Sequence, residues 1–318
     1  MKKQILILIA VLIALLMAWM LLGRQEDARQ RGDLPDEPAQ VDSLAVERLI
    51  LTRSNQPEIE FVKDADGFWN IVRPLEDRVN MNLLNQLIVG LATMRFVDLI
   101  SERSSQHASF QIDDIQAARL QAFQGGEQVA DIYLGKLTPD RRHVYVRPAG
   151  GNTVYSATGG GGMAAMRTRG VDDFRSRDIV GVDESVFDSL MVNSADFGIY
   201  RVARADTATW QVQIGAGRYE AADANVAEAL IRALARMRAT GFAVDTLDLD
   251  WSAPLMRIDT WRLGDQSDHL EFLQVGDENN YWVRVEGKTH VYKVFESVYK
   301  TFNKDPAELK AREPVSAS

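Results

Sequence analysis

Four histidines, two acidic clusters, a glycine run and two aromatic-arginine hairpins are the residues of this 318-residue chain that could do chemistry. His107, His143, His269 and His290 fall at no metal-ligand spacing such as i, i+4, and no metallohydrolase-type acidic motif accompanies them. They read as surface or structural groups. Asp245, Asp248 and Asp250 lack the turn glycine and closing glutamate of a calcium loop, and Asp172-Asp173 is a smaller cluster without a marked partner. Paired carboxylates can serve acid–base hydrolysis, but solvated turns are expected here. Gly159-Gly-Gly-Gly162 is followed by Met163, where a phosphate-binding loop needs Lys-Ser/Thr. The run has no counterpart in the second half of the chain, so it reads as a flexible inserted loop. There is no Gly-x-Ser-x-Gly elbow. The absence of cysteine excludes disulfides, thiolate zinc sites and cysteine nucleophiles. No catalytic residue, metal ligand or cofactor-binding residue is therefore expected, and no cofactor.

The hairpins are the strongest surviving pattern. Tyr145-Val146-Arg147 with Val154-Tyr155 recurs as Trp282-Val283-Arg284 with Val291-Tyr292. On a strand, Tyr145 and Arg147 share a face, as do Trp282 and Arg284. These four residues are the candidate interaction surface. The competing expectation is that the aromatics pack on the helix while Arg147 and Arg284 snorkel or pair.

The elements that must position these residues occur twice. Val41-Asp42 and Leu49 return as Val182-Asp183 and Leu190, and Trp69 and Ile71 as Trp210 and Val212. Residues 82–95 align with residues 225–238, with seven of fourteen positions identical, where average composition gives about one. Leu83, Leu84, Leu87, Ile88, Leu91 and Met94 form one apolar helical stripe, kept as Val226, Leu230, Ile231, Leu234 and Met237, with Asp223 as N-cap. Alternating apolar runs on either side of that helix read as strands. The expected fold class is α+β: a tandem duplication of an antiparallel sheet plus one amphipathic helix, after an N-terminal transmembrane helix.

Residues 5–22 carry no charge. As a helix they reach roughly 27 Å, close to a bilayer core, and no small-x-small cleavage pattern follows them. The expected organisation is an anchor at 1–22 and a polar linker at 23–42. A first repeat at 43–181, a second at 182–304 closed by a short helix near 295–303, and a tail at 305–318 follow. The basic Met1-Lys2-Lys3 start places the body outside the cytoplasm of a bacterial inner membrane. A net charge of −9 without a basic run excludes a nucleic-acid partner.

Arg48-Leu-Ile-Leu-Thr-Arg53, Gly67-Phe-Trp-Asn-Ile-Val-Arg-Pro74, Leu134-Gly135, Tyr145-Val-Arg147, Val154-Tyr155 and Phe174-Arg-Ser-Arg177 resemble an uncharacterised family of bacterial envelope proteins. These carry a domain of unknown function and one N-terminal span, and are often encoded beside gliding-motility-type ABC transporter genes. The second repeat departs from the pattern, lacking the Leu-Thr-Arg and the proline after Trp210. The resemblance implies an extracytoplasmic body and ABC transporter subunits as partners. It carries over no catalytic residue. The expected function is a membrane-anchored, non-catalytic accessory or scaffolding component of an ABC-type transport system. The alternatives are a module binding envelope polymer through the hairpin aromatics, and a hydrolase using the acidic clusters.

Overall fold

A computed structural model describes residues 40–244, 247–262, 264–276 and 279–311. The anchor expected at residues 5–22 lies outside the described residues, among which no helix is long and apolar enough to cross a membrane. The chain divides into two compact units at Ser176/Arg177. Arg177 and Ile179 already bond within the second unit, accepting from Ala239 N and donating to Met237 O.

In the first unit, β1 (Arg48–Arg53), β2 (Gln56–Lys63), β3 (Trp69–Arg73) and β4 (Asp77–Arg78) form a meander. Helix α1 (Met81–Ala92) then carries the chain to the far edge, where β5 (Phe96–Ser101) begins. A short helix, α2 (His107–Phe110), precedes β6 (Ala118–Gln124), β7 (Glu127–Leu137), β8 (Val144–Pro148) and β9 (Val154–Ala157). Helix α3 (Val171–Phe174) closes the unit. The strand order is β4-β3-β2-β1-β6-β7-β8-β9-β5, antiparallel throughout.

The second unit repeats that order. Its strands are β10 (Phe187–Ser194), β11 (Gly198–Arg204), β12 (Trp210–Ile214), β13 (Glu220–Ala221), β14 (Gly241–Phe242), β15 (Met256–Arg262), β16 (Asp265–Gln274), β17 (Asn280–Val285) and β18 (Val291–Phe295). Helix α4 (Ala224–Ala235) occupies the place of α1, and α5 (Glu296–Phe302) follows β18 ahead of a short closing turn at 306–309. The order is β13-β12-β11-β10-β15-β16-β17-β18-β14.

The expected α+β class, a sheet-plus-helix repeat, is therefore overturned. Each unit is a nine-stranded antiparallel sheet, and helix is the minor component. The reason lies in strands too weak to read locally. Two-residue β4 and β13 and the half-exposed β5 carry little alternation, yet each finds a partner because the sheet edge supplies one.

One sheet face of each unit is spent on its long helix. Asn80 caps α1 by accepting from Asn82 N at 3.2 Å, and Asp223 caps α4 by accepting from Asn225 N at 3.0 Å. Twelve-residue helices are marginal alone, so burial holds them. Leu84, Leu87 and Ile88 join Leu51, Phe61, Ile71, Leu120, Ile132 and Val146 in one core. Leu230, Ile231 and Leu234 do the same with Val192, Val202, Val212, Ile258, Leu270 and Val283.

A strap then closes each unit across its helix start. Asn80 N donates to Phe174 O and Ser176 N to Arg78 O, both at 2.7 Å, and Arg175 pairs with Asp77 at 2.7 Å. In the second unit Asp223 N donates to Leu309 O and Ala311 N to Ala221 O, both at 2.9 Å, and Lys310 pairs with Glu220 at 2.8 Å. Residues 305–311, within the segment expected as a tail, thus carry the second strap.

Leu87 and Leu230 are both fully enclosed. Replacing either by Ala should cost about 2–5 kcal/mol through lost transfer energy and the cavity left behind. Urea unfolding with a probe in each unit should place the loss in the unit that carries the change.

Candidate functional site

The hairpin residues sit on the sheet face opposite each long helix, and the two units treat that face differently. In the first unit Tyr145 and Arg147 are buried. Residues 102–117, including α2, lie over them. Tyr145, Ile112 and Val154 form a small second core, joined by Phe110 and Tyr133, and the Phe110 and Tyr145 rings are 4.8 Å apart. Arg147 stacks over the Tyr133 ring at 4.0 Å. It donates from Nε to Ile112 O at 3.3 Å, from Nη1 to Gly151 O at 3.2 Å and from Nη2 to Asp114 at 2.9 Å. His107 adds a ring-nitrogen contact to Asn152 O at 2.7 Å. Tyr145 thus packs beneath this cover and not on the long helix, and Arg147 pairs with Asp114 of the cover.

In the second unit, Trp282 is half-buried and Arg284 is exposed. Arg284 faces Glu271 across the β16–β17 ladder, as Arg147 faces Tyr133 across β7–β8. Glu271 is buried and accepts from Arg257 Nε at 3.0 Å and from Arg284 Nε. His269, two residues along the same strand, places Nδ1 at 2.6 Å from Asp259 and Nε2 at 3.7 Å from Glu271. Trp251 is stacked with Arg284, whose guanidinium carbon is 4.7 Å from the ring centroid. Trp251, His269, Glu271 and Arg284 line an open cleft of about 580 Å³, whose rim runs through Gly287, Lys288, Thr289 and His290. A second hollow of about 350 Å³ flanks Trp251 on the side of Val244 and Leu247. This outer face is the candidate site.

The arrangement is a charge network. The guanidinium groups of Arg257 and Arg284 neutralise Glu271, and both nitrogens of His269 face carboxylates. Among the described residues no three such side chains converge as a metal ligand set. Trp251, Arg257, Asp259 and Glu271 do not stand out in the sequence, and His269 stands out there only as one of four histidines. The signal was the period of two on paired strands, Arg257-x-Asp259 against His269-x-Glu271.

The remaining candidates separate. Asp172 pairs with Arg175 at 2.9 Å, and Asp173 accepts from Gly170 N at 3.0 Å, so that cluster closes the first strap. Asp250 accepts from Ser252 N in a turn, while Asp245 lies outside the described residues. His143 sits 3.9 Å from Asp140. Only His269 and His290 reach the cleft. The glycine run is not a loose loop. A Cβ at Gly160 would stand 2.0 Å from Val144 Cγ1, and one at Gly159, where φ is +76°, would stand 3.1 Å from Gly90 O. Close approach to α1 requires glycine at Gly159, and close approach to Val144 of β8 requires it at Gly160.

Two outcomes follow. Arg147→Ala should cost about 1–3 kcal/mol, because it leaves buried acceptors unpaired. Arg284→Ala should cost less, about 1 kcal/mol or below, since the side chain is exposed and Arg257 still pairs Glu271; urea midpoints measured for both variants check the order. Burial alone would raise the carboxyls of Glu60 and Glu271. Hydrogen bonds and charge from Arg48 and Arg73, and from Arg257 and Arg284, outweigh it and hold both below the usual range. Their stabilisation is complete above the unfolded value of about 4.3 and is lost as pH falls through the lower folded values. A Glu60→Gln, Glu271→Gln double variant should therefore lose less stability than the parent on acidification below that point.

No curated protein and no solved structure matches the chain. A family model does, over residues 69–254, from β3 of the first unit to the segment before β15 of the second. That match spans more than half of the chain and both units, and it fixes the assignment: the chain belongs to the DUF4340 family, defined by a domain of unknown function.

Proposed function

We propose that the protein is a membrane-anchored, non-catalytic envelope component that serves an ABC-type transport system as an accessory or scaffold, with its body outside the cytoplasm. The uncovered outer face of its second unit is the surface that meets the partner. One observation carries this reading. The same sheet face is sealed by the chain itself around Arg147 in the first unit and left as a cleft around Arg284 in the second. A duplicated element that keeps its scaffold and opens one face has been specialised for contact rather than stability. The charge-free run at residues 5–22 confines that face near the membrane and raises its effective concentration toward a membrane partner.

Site-specific photo-crosslinking in native membranes tests this. A benzophenone side chain at exposed Thr289, on the cleft rim, should capture a membrane-transport subunit. The same group at Ile115, exposed on the cover of the first unit, should not. Capture from Ile115 alone, or from neither position in a correctly localised protein, would overturn the reading.

A further inference from the structure

Resting on the open face as the contact surface, we propose what binds there: a segment leaving a short helical turn, with an aromatic as the turn's last residue and an aliphatic and an acidic residue at the next two alternate positions, supplied by another protein. The first unit provides the template. Its cover is residues 102–117, between β5 and β6. Phe110 and Ile112 pack with Tyr145, and Asp114 reaches Arg147 Nη2 at 2.9 Å. The turn is helical, with Ile112 N donating to His107 O at 3.0 Å, and Gln111 adopts φ +54° to end it.

The second unit has the receiving surface but lacks that turn. Its corresponding segment, residues 243–255 between β14 and β15, is three residues shorter. Among the described residues it holds no helix, and Val244 is left 65% exposed. Trp251 covers part of Arg284, and the cleft opens beside it. Arg284 occupies the ladder position of Arg147, yet among the described residues its one hydrogen bond is from Nε to Glu271. Its terminal nitrogens stay available in the geometry that suits a carboxylate. Arg147 uses Nη2 for that same purpose. The substitution of Glu271 for Tyr133 fits the change. With an aromatic beneath the arginine the surface is dry and closed, whereas a carboxylate there holds the guanidinium in place while the face is wet. Binding then combines apolar anchors from the stretch leaving the turn with one charge-assisted contact to Arg284.

The first unit's own segment is the probe. A fluorescent peptide of residues 104–116 should bind the detergent-solubilised full-length protein saturably, by anisotropy, and a scrambled peptide of the same composition should not. Arg284→Gln, which leaves Arg257 to pair Glu271, should weaken binding by about tenfold, as should Asp114→Asn in the peptide. Combining the two should add little, because both remove one contact. Binding unaffected by Arg284→Gln, or equal binding of the scrambled peptide, overturns the proposal, as does no saturable binding at millimolar peptide. Crosslinks from Thr289 alongside a silent peptide would leave the contact surface standing and remove only this partner chemistry.

Discussion

Burial of one apolar helical stripe against one face of a nine-stranded sheet sets everything else in this protein. The stripe of α1 or α4 is too short to be stable alone and too apolar to be left in water. It therefore takes the inner face of each sheet entirely. Seven strands contribute to each core beside the helix, so that face is filled by the protein's own side chains. Whatever varies between the units must be expressed on the other face, at the edges or in the strap. The hairpins Tyr145-Val-Arg147 and Trp282-Val-Arg284 show this division within three residues: the central valine is enclosed in both, and the flanking pair is where the units diverge.

The straps show how far the common scaffold tolerates such divergence. Each crosses the start of the long helix with the same two backbone bonds and an ion pair to the short edge strand, Arg175 to Asp77 of β4 and Lys310 to Glu220 of β13. The contact from the end of the first strand differs. Arg53 is buried, and desolvation lowers its pKa while it remains a cation; it reaches the carbonyls of Met166 and Arg169. Ser194 holds that position in the second unit and bonds Asn303 instead. A long cation crossing to a glycine-rich segment and a short hydroxyl meeting α5 do the same job. Topology, not side-chain identity, is what the repeat preserves.

Much of this was legible in the residues. The matched helix stripes, the tryptophans Trp69 and Trp210 and the Asp223 cap are local signals of strong period, and each is placed as such signals demand. The α+β class was not legible correctly, because β4, β13 and β5 become strands only through neighbours distant in sequence. The second strap was readable but faint: Leu309-Lys-Ala-Arg312 echoes Phe174-Arg-Ser-Arg177 at a shorter offset than the rest of the repeat. The site was half legible. Arg284 stood out by repetition, but Glu271 did not, because its importance comes from differing from Tyr133, a position identifiable only once both ladders are aligned.

That difference shows what a duplicated unit permits. Replacing an aromatic by a carboxylate beneath an arginine in a single domain would expose an apolar cover and leave a buried charge dependent on one partner. In the second unit Arg257 stands across the β15–β16 ladder and supplies the second guanidinium that Glu271 needs. The first unit already has Arg119 at the corresponding place, paired with Asp131 at 2.6 Å. The cation was therefore present in the shared scaffold, and moving the carboxylate by one alternate position on the neighbouring strand redirects it. Shortening the cover then costs little, since the network beneath is satisfied without it. A surface built this way is polar enough to remain open and ordered enough to be recognised.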